Sequence, residues 1–262
     1  MSADVLAFCN QKGGVGKTTS VFHLAYAASR AGMRVLVVDI DPQGNLSTVL
    51  AQYELARDDV GVADVLSESS PASISDAVVP TIWPGVDLVP TVPENESLAY
   101  VRDQLVIAGA GRERRLRDAV DAVGDRYDVV LVDCPPSLDL LTINALVAAR
   151  KVVIVSQSAL FSANGLARLR RTIEAVKRSY NPDLELLGAM INLHEINTIA
   201  GREQLIEIAA NINILGDAVP KRVVIKDSME SRTSLPDWGT RQSRSLSTIY
   251  RDTVAILTNG AQ

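Results

Sequence analysis

Short, almost uninterrupted apolar runs alternate along the chain with longer stretches in which apolar positions recur every three or four residues. The runs fall at 4–9, 34–38, 86–89, 128–132, 151–155 and 185–191. They are built from Val, Leu and Ile and show no polar alternation, which marks strands buried on both faces rather than half-exposed ones. Helical spacing covers 17–31, 45–51, 97–123, 139–149, 163–179 and 201–212, and from about 244 the pattern predicts a closing helix. Strands alternating with helices predict an α/β fold: a doubly wound, mostly parallel sheet flanked by helices, with ligands at the carboxyl ends of the strands. The Ser- and Pro-rich segment 67–85 reads as a surface excursion within that single domain, not as a linker between two.

Composition narrows the picture. The chain has 262 residues, 47% of them hydrophobic and 22% charged, which is ordinary for a globular protein. Aromatic residues are only 4%, so aliphatic side chains must build the core. Cys9 and Cys134 both lie in apolar runs without metal or disulfide spacing, so they read as buried thiols of a reducing, cytoplasmic setting. The start of the chain lacks a basic segment ahead of its apolar run, and no apolar run approaches 18 residues. Neither a leader nor a membrane span is therefore expected. The net charge of −5 argues against a surface that coats nucleic acid everywhere, but allows a local basic patch.

Between the first strand and the first helix lies CNQKGGVGKTT, residues 9–19. It meets the phosphate-loop pattern G-x-x-x-x-G-K-[ST] except at its first position, which is Gln11. Gly13, Gly14 and Gly16 let the backbone, Val15 included, turn its N–H groups toward phosphate oxygens, and the helix N-terminus adds partial positive charge. Lys17 is expected on the β- and γ-phosphates, Thr18 on Mg²⁺ and Thr19 on the α-phosphate. Lys12 has no evident packing role in such a loop. Its charge suits a phosphate, its own or a neighbouring subunit's, where it would stabilise the transferring phosphoryl group.

Three aspartates close apolar runs. Asp39 and Asp41, in VDIDPQGN, are two residues apart and can share a face. Asp41 is the candidate for orienting the attacking water and Asp39 for supporting the Mg²⁺ shell. Asp133 ends DVVLVD in the manner of a Walker B strand and is expected to hold Mg²⁺ through water. His23 and His194 lack partners at metal spacing, and Trp83 and Trp238 read as packing anchors.

The loop KGGVGKTT, with its first lysine, together with VDIDPQGNLS and VDCPPSLDLLTINAL, resembles the ParA/MinD family of deviant phosphate-loop ATPases, and its ParA/Soj partition branch in particular. The resemblance runs from residue 3 to about 195, the nucleotide-binding core. It fades in the basic C-terminal part, about 213–262, where only AVPKRVVIKDS is similar. It implies a weak, Mg²⁺-dependent ATPase that binds ATP in a sandwich homodimer with Lys12 crossing between subunits. It implies that Asn192 reads adenine and that Pro220 lines the base pocket with backbone groups. It also implies a cytoplasmic, nucleoid-associated protein that binds non-specific DNA and is stimulated by a ParB-like adaptor.

Charge is segregated in keeping with this. Residues 166–180 carry five basic side chains against Glu174, and 220–251 carry seven against three acidic ones. The resemblance favours the second stretch for DNA, through Lys221, Arg222, Lys226, Arg241 and Arg244. The short lead before the first strand leaves no room for a helix-turn-helix reader, so contact with the phosphate backbone alone is expected. Three alternatives remain open. One is a positioning ATPase for a protein or organelle cargo. Another is a membrane-cycling relative, disfavoured because IYRDTVAILTNGAQ has one Arg and a polar finish. The last is a metabolic ATP-dependent ligase, disfavoured by DPQGN and by the lack of an evident substrate domain.

Overall fold

The computed structural model describes residues 3–68, 72–92, 97–161, 163–195 and 198–258. Seven strands form one sheet: β1 (Asp4–Cys9), β2 (Val35–Asp39), β3 (Val79–Pro80), β4 (Val86–Val89), β5 (Val129–Asp133), β6 (Lys151–Gln157) and β7 (Glu185–Asn192). Their order is β3-β4-β2-β5-β1-β6-β7. Every pairing is parallel except the short β3–β4 edge. This is the doubly wound architecture that the apolar runs predict.

The strands are apolar throughout because each face is covered. Along β1, Val5, Ala7 and Cys9 enter one core while Leu6 and Phe8 enter the other. The first core is roofed by α5 (Ser97–Ile107), α6 (Arg115–Asp121), α7 (Leu140–Ala148) and α8 (Ala163–Ser179). The second lies under α1 (Lys17–Arg30), α2 (Asn45–Leu50) and α11 (Arg241–Thr258). The predicted helix 97–123 is two helices, broken where Gly111 takes a φ of 93°. A left-handed residue cannot continue a right-handed helix.

The described part of segment 67–85 is not a mere surface excursion. It forms α4 (Ile74–Ala77) and β3, with Ile74, Ala77 and Trp83 buried. The Trp83 ring lies 4.4 Å from Phe22 and 5.1 Å from Tyr26, so it anchors the sheet edge to α1. Trp238 is half-buried. The apolar pattern also passed over α3 (Val62–Leu66) and α10 (Val223–Glu230), and α9 runs Ile199–Ala209.

At the amino edge of the sheet, Lys151 Nζ donates to the Asp4 carboxylate at 2.6 Å and to the Leu257 carbonyl at 2.9 Å. One buried ammonium thus joins β1, β6 and the last turn of α11. No described helix is long and apolar enough to cross a membrane. The polar finish at 259–262 lies outside the described residues.

Candidate functional site

The loop leaves β1 at the carboxyl edge of the sheet. Asn10 donates to the Val155 carbonyl at 2.7 Å and accepts from the Lys12 N–H at 3.0 Å. That turn fixes the loop's first corner. Gly14 and Gly16 hold φ values of 72° and 88°, which a side chain disfavours. At Gly16 space is also closed: a Cβ would meet Asn192 Nδ2 at 2.7 Å. Lys17 opens α1 and is buried. Its Nζ folds back to the Lys12 carbonyl at 3.4 Å, which places the ammonium inside the curl of the loop. Thr18 and Thr19 are half-buried on the first turn, and Val15 is fully buried beneath. Lys12, Gly13 and Gly14 face solvent.

The aspartates converge behind this loop. Asp39 and Asp133 are register partners at the ends of β2 and β5. Both are buried. Asp39 is held by the Ser47 N–H at 2.8 Å, the Ser47 hydroxyl at 2.7 Å and the Asp41 N–H at 3.2 Å. Burial pushes its carboxyl up to about 6, against the pull of Ser47. Asp133 has no hydrogen-bond partner on either oxygen. Its carboxyl is raised well above the ordinary range, first by burial and then by Asp39, while the nearby Thr18 hydroxyl and Lys17 pull it down. Asp41 is half-buried at the mouth and accepts from the Gln43 N–H at 3.0 Å.

An orphaned buried carboxylate is costly unless something binds it. Beside a hydroxyl at a phosphate loop, it fits a hard cation such as Mg²⁺, which keeps most of its waters and takes few protein ligands. No group of three or more His, Cys, Asp and Glu side chains that could hold a metal ion occurs among the described residues.

Asn192 ends β7 directly under the loop. Its Nδ2 donates to Ser20 Oγ at 2.7 Å and to the Gly16 and Val15 carbonyls at 3.1 and 3.3 Å. The nitrogen of the amide expected to read a base thus braces the loop, while its Oδ1 is buried without a hydrogen-bond partner. The next residue, Leu193, has a φ of 51°, and the chain then bridges from His194 to Pro220. Pro220 therefore lies beside the carboxyl end of β7. His194 and His23 are buried, and each bonds a neighbour, Ser158 Oγ and the Ile225 carbonyl. Cys9 and Cys134 are buried with their sulfurs 3.3 Å apart, and burial drives the Cys134 thiol well up.

The basic C-terminal residues are at or near the surface but partly engaged. Lys226 pairs with Glu230 at 3.1 Å and Lys221 with Glu195 at 3.7 Å. Arg222 and Arg244 donate to the carbonyls of Lys221 and Gly239. Arg241 is exposed on the first turn of α11. Exposed pairs of this kind contribute little and dissolve readily when a phosphate competes.

Three contributors escaped the sequence reading: Ser47, Thr91 and Ser20. The Thr91 hydroxyl donates to the Asp39 carbonyl at 2.9 Å, and the Thr91 N–H donates to the Ser47 hydroxyl oxygen at the same distance. Nothing in the spacing of these residues pointed to a shared site. Asn10 could have been found, since Asn two residues before a loop N–H is a turn signature.

A parallel sheet that delivers a Gly-Lys-Thr loop, a buried lysine and strand-end aspartates to one edge defines a P-loop ATPase. The chain belongs to the ParA family, of the ParA/MinD type. A family profile described as an AAA domain matches residues 3–186. The chain is 37% identical to the chromosome partitioning protein ParA of Caulobacter vibrioides, over 86% of this chain and 83% of that one. It is 40% identical to an uncharacterized protein of Mycobacterium tuberculosis, over 89% and 70%. Among solved structures, cobyrinic acid a,c-diamide synthase from Mycobacterium smegmatis, with a bound ATP analog and magnesium, superposes with a TM-score of 0.82 at 34% identity, covering 98% and 96%.

Proposed function

We propose that this chain is a DNA-partitioning ATPase whose ATP-bound sandwich dimer holds non-specific DNA until hydrolysis releases it. The observation that carries the reading is the pair of lysines in one loop. Lys17 is folded inward and buried, and Lys12 is exposed on the rim. A buried lysine serves the phosphates bound in its own loop. An exposed lysine five residues earlier supports the reading that it reaches nucleotide held by a second copy.

In this mechanism the N–H groups of residues 13–19 cradle the phosphates and Lys17 neutralises the β- and γ-oxygens. Thr18, and Asp133 through water, would hold Mg²⁺, which when bound offsets charge on those oxygens. Asp39 supports that shell while Ser47 and Thr91 fix its position. Asp41, at the mouth, orients the attacking water. Lys12 of the partner copy stabilises charge developing on the transferred phosphoryl group, as an arginine finger does. Pro220 and the backbone around it line the base pocket. Lys221, Arg222, Lys226, Arg241 and Arg244 hold duplex phosphates in a salt-dependent way. A ParB-like adaptor stimulates turnover. The nucleotide then acts through a monomer–dimer equilibrium, and slow basal hydrolysis sets its timing.

The test is ATP turnover and duplex binding at low and moderate salt, beside Lys12→Ala. The reading requires ATP-dependent, salt-sensitive duplex binding, and Lys12→Ala must abolish turnover while the variant still binds nucleotide. Turnover unaffected by Lys12→Ala, or binding indifferent to ATP, overturns it.

One observation favours a second reading, the 34% identity to a chain named a diamide synthase. Converting an acid to an amide from glutamine takes an accessible nucleophile, in many enzymes a cysteine thiol. Both cysteines here are buried with exposures of 1% or less. ATP turnover that depends on a carboxylic acid and glutamine or ammonia would establish this reading in place of the first.

A further inference from the structure

One sizeable cavity lies away from the phosphate loop. It lies on the other side of α1, between the carboxyl half of that helix, the middle of α11 and the loop at Leu235 and Pro236, and it holds about 340 Å³. Ala27 of α1 and Ala31, just past its end, line the cavity with small side chains that leave room between the helices. Its rings come from His23, Tyr26 and Tyr250, with His23 and Tyr250 4.8 Å apart. Its size and aromatic lining match those of small-molecule sites in general.

Its charge is one-sided. Arg30, in the last turn of α1, and Arg251, on α11, both line the cavity, and no acidic residue does. Arg251 pairs with its neighbour Asp252 at 3.0 Å. Arg30 is exposed and has neither an ion pair nor a hydrogen bond among the described residues. His23 adds no charge: its Nε2–H donates to the Ile225 carbonyl at 3.1 Å, and burial keeps the ring neutral. An apolar interior with guanidinium groups and no carboxylates in its wall selects an apolar body that ends in an anion.

We propose that the cavity between α1 and α11 is a binding site for a small apolar carboxylate, with the ring or chain between Tyr26 and Tyr250 and the carboxylate on Arg30. The site is separate from the nucleotide loop and does not depend on the function proposed above.

The test uses 1-naphthoate as probe, titrated calorimetrically into the full chain, with the neutral 1-naphthalenemethanol as its partner. Three chains are compared: wild type, Arg30→Gln and Ala31→Trp. Position 31 is exposed where it borders the cavity, so the larger side chain fills the space from the rim without entering the core. The expected result is one saturable site per chain for 1-naphthoate, about tenfold weaker for the alcohol and in Arg30→Gln. Binding is lost in Ala31→Trp, while both variants unfold cooperatively and turn over ATP like wild type. Equal affinity for acid and alcohol, or affinity unmoved by Arg30→Gln, would remove the carboxylate from the proposal and overturn it. Binding that survives Ala31→Trp would place the probe elsewhere and overturn the site. A partner protein that uses the cavity instead would leave 1-naphthoate without saturable binding, which also overturns it.

Discussion

Asp39 and Asp133 stand side by side as the last residues of β2 and β5, two carboxyls out of solvent with only one of them hydrogen-bonded. Two adjacent buried acids cannot both ionise cheaply, so the pair retains a proton that free carboxyls would lose. Burial raises Asp39 to about 6 and holds Asp133 well above the ordinary carboxylate range. A cation arriving with nucleotide must displace that proton. Calorimetry of Mg²⁺–ADP binding at pH 6, in two buffers of different ionisation enthalpy, should therefore show proton release, shrinking at pH 8 and in Asp39→Asn. Heats that do not depend on the buffer at pH 6 would mean that the pair is already ionised.

Asn192 braces the loop through its amide nitrogen, and this separates two roles for it. A residue that reads adenine discriminates between bases, whereas a brace supports any nucleotide. Asn192→Ala is expected to weaken ATP and GTP binding by the same factor, about tenfold, because both depend on the Gly16 turn. Binding measured with fluorescent analogues of both nucleotides decides it: loss confined to ATP would return the residue to base recognition.

The buried Lys151–Asp4 pair predicts an asymmetric double-mutant cycle. Lys151→Met leaves the Asp4 carboxylate buried without its cation, a change that costs about 3–5 kcal/mol in comparable pairs. Adding Asp4→Leu removes the orphan and recovers most of that loss. Urea unfolding of the two single variants and the double variant reads the coupling directly. Additive losses would show that the pair acts through packing alone.

His23 makes stability depend on pH. Burial lowers its pKa from 6.5 to about 4, so the folded protein keeps the ring neutral while the unfolded chain protonates it. Its contribution is fully present above pH 6.5 and is lost as pH falls toward 4, by about 2 kcal/mol between pH 7 and pH 5. His23→Phe forfeits the Ile225 hydrogen bond and is less stable at pH 7, but it lacks this slope. Unfolding midpoints at the two pH values, compared between wild type and variant, test the difference. Parallel losses in both would assign the slope to other groups.

What the sequence made legible was what lies close together in the chain. The strand–loop–helix unit of β1 and α1 is contiguous, so its glycines and lysines declare the phosphate loop by themselves. Strand-end aspartates are equally plain once strands are recognised by their apolar runs. The supports were illegible because they are remote. Ser47 is 8 residues from Asp39, and Thr91 is 52. The target of Asn192 is a loop more than 170 positions earlier. Lys221 meets Glu195 only because a short bridge sets 220 beside 194. The two-residue β3 has no periodicity to read, and Trp83 just after it is an edge anchor only because Phe22 of α1 packs against it in the same core.

The ammonium of Lys151 has a topological consequence as well. It holds the carboxylate of Asp4 and the carbonyl of Leu257 within reach of one atom, so the described chain closes into a ring whose seam lies on the sheet edge opposite the phosphate loop. A fluorophore or a surface tether attached at the seam, from either side, projects away from the nucleotide.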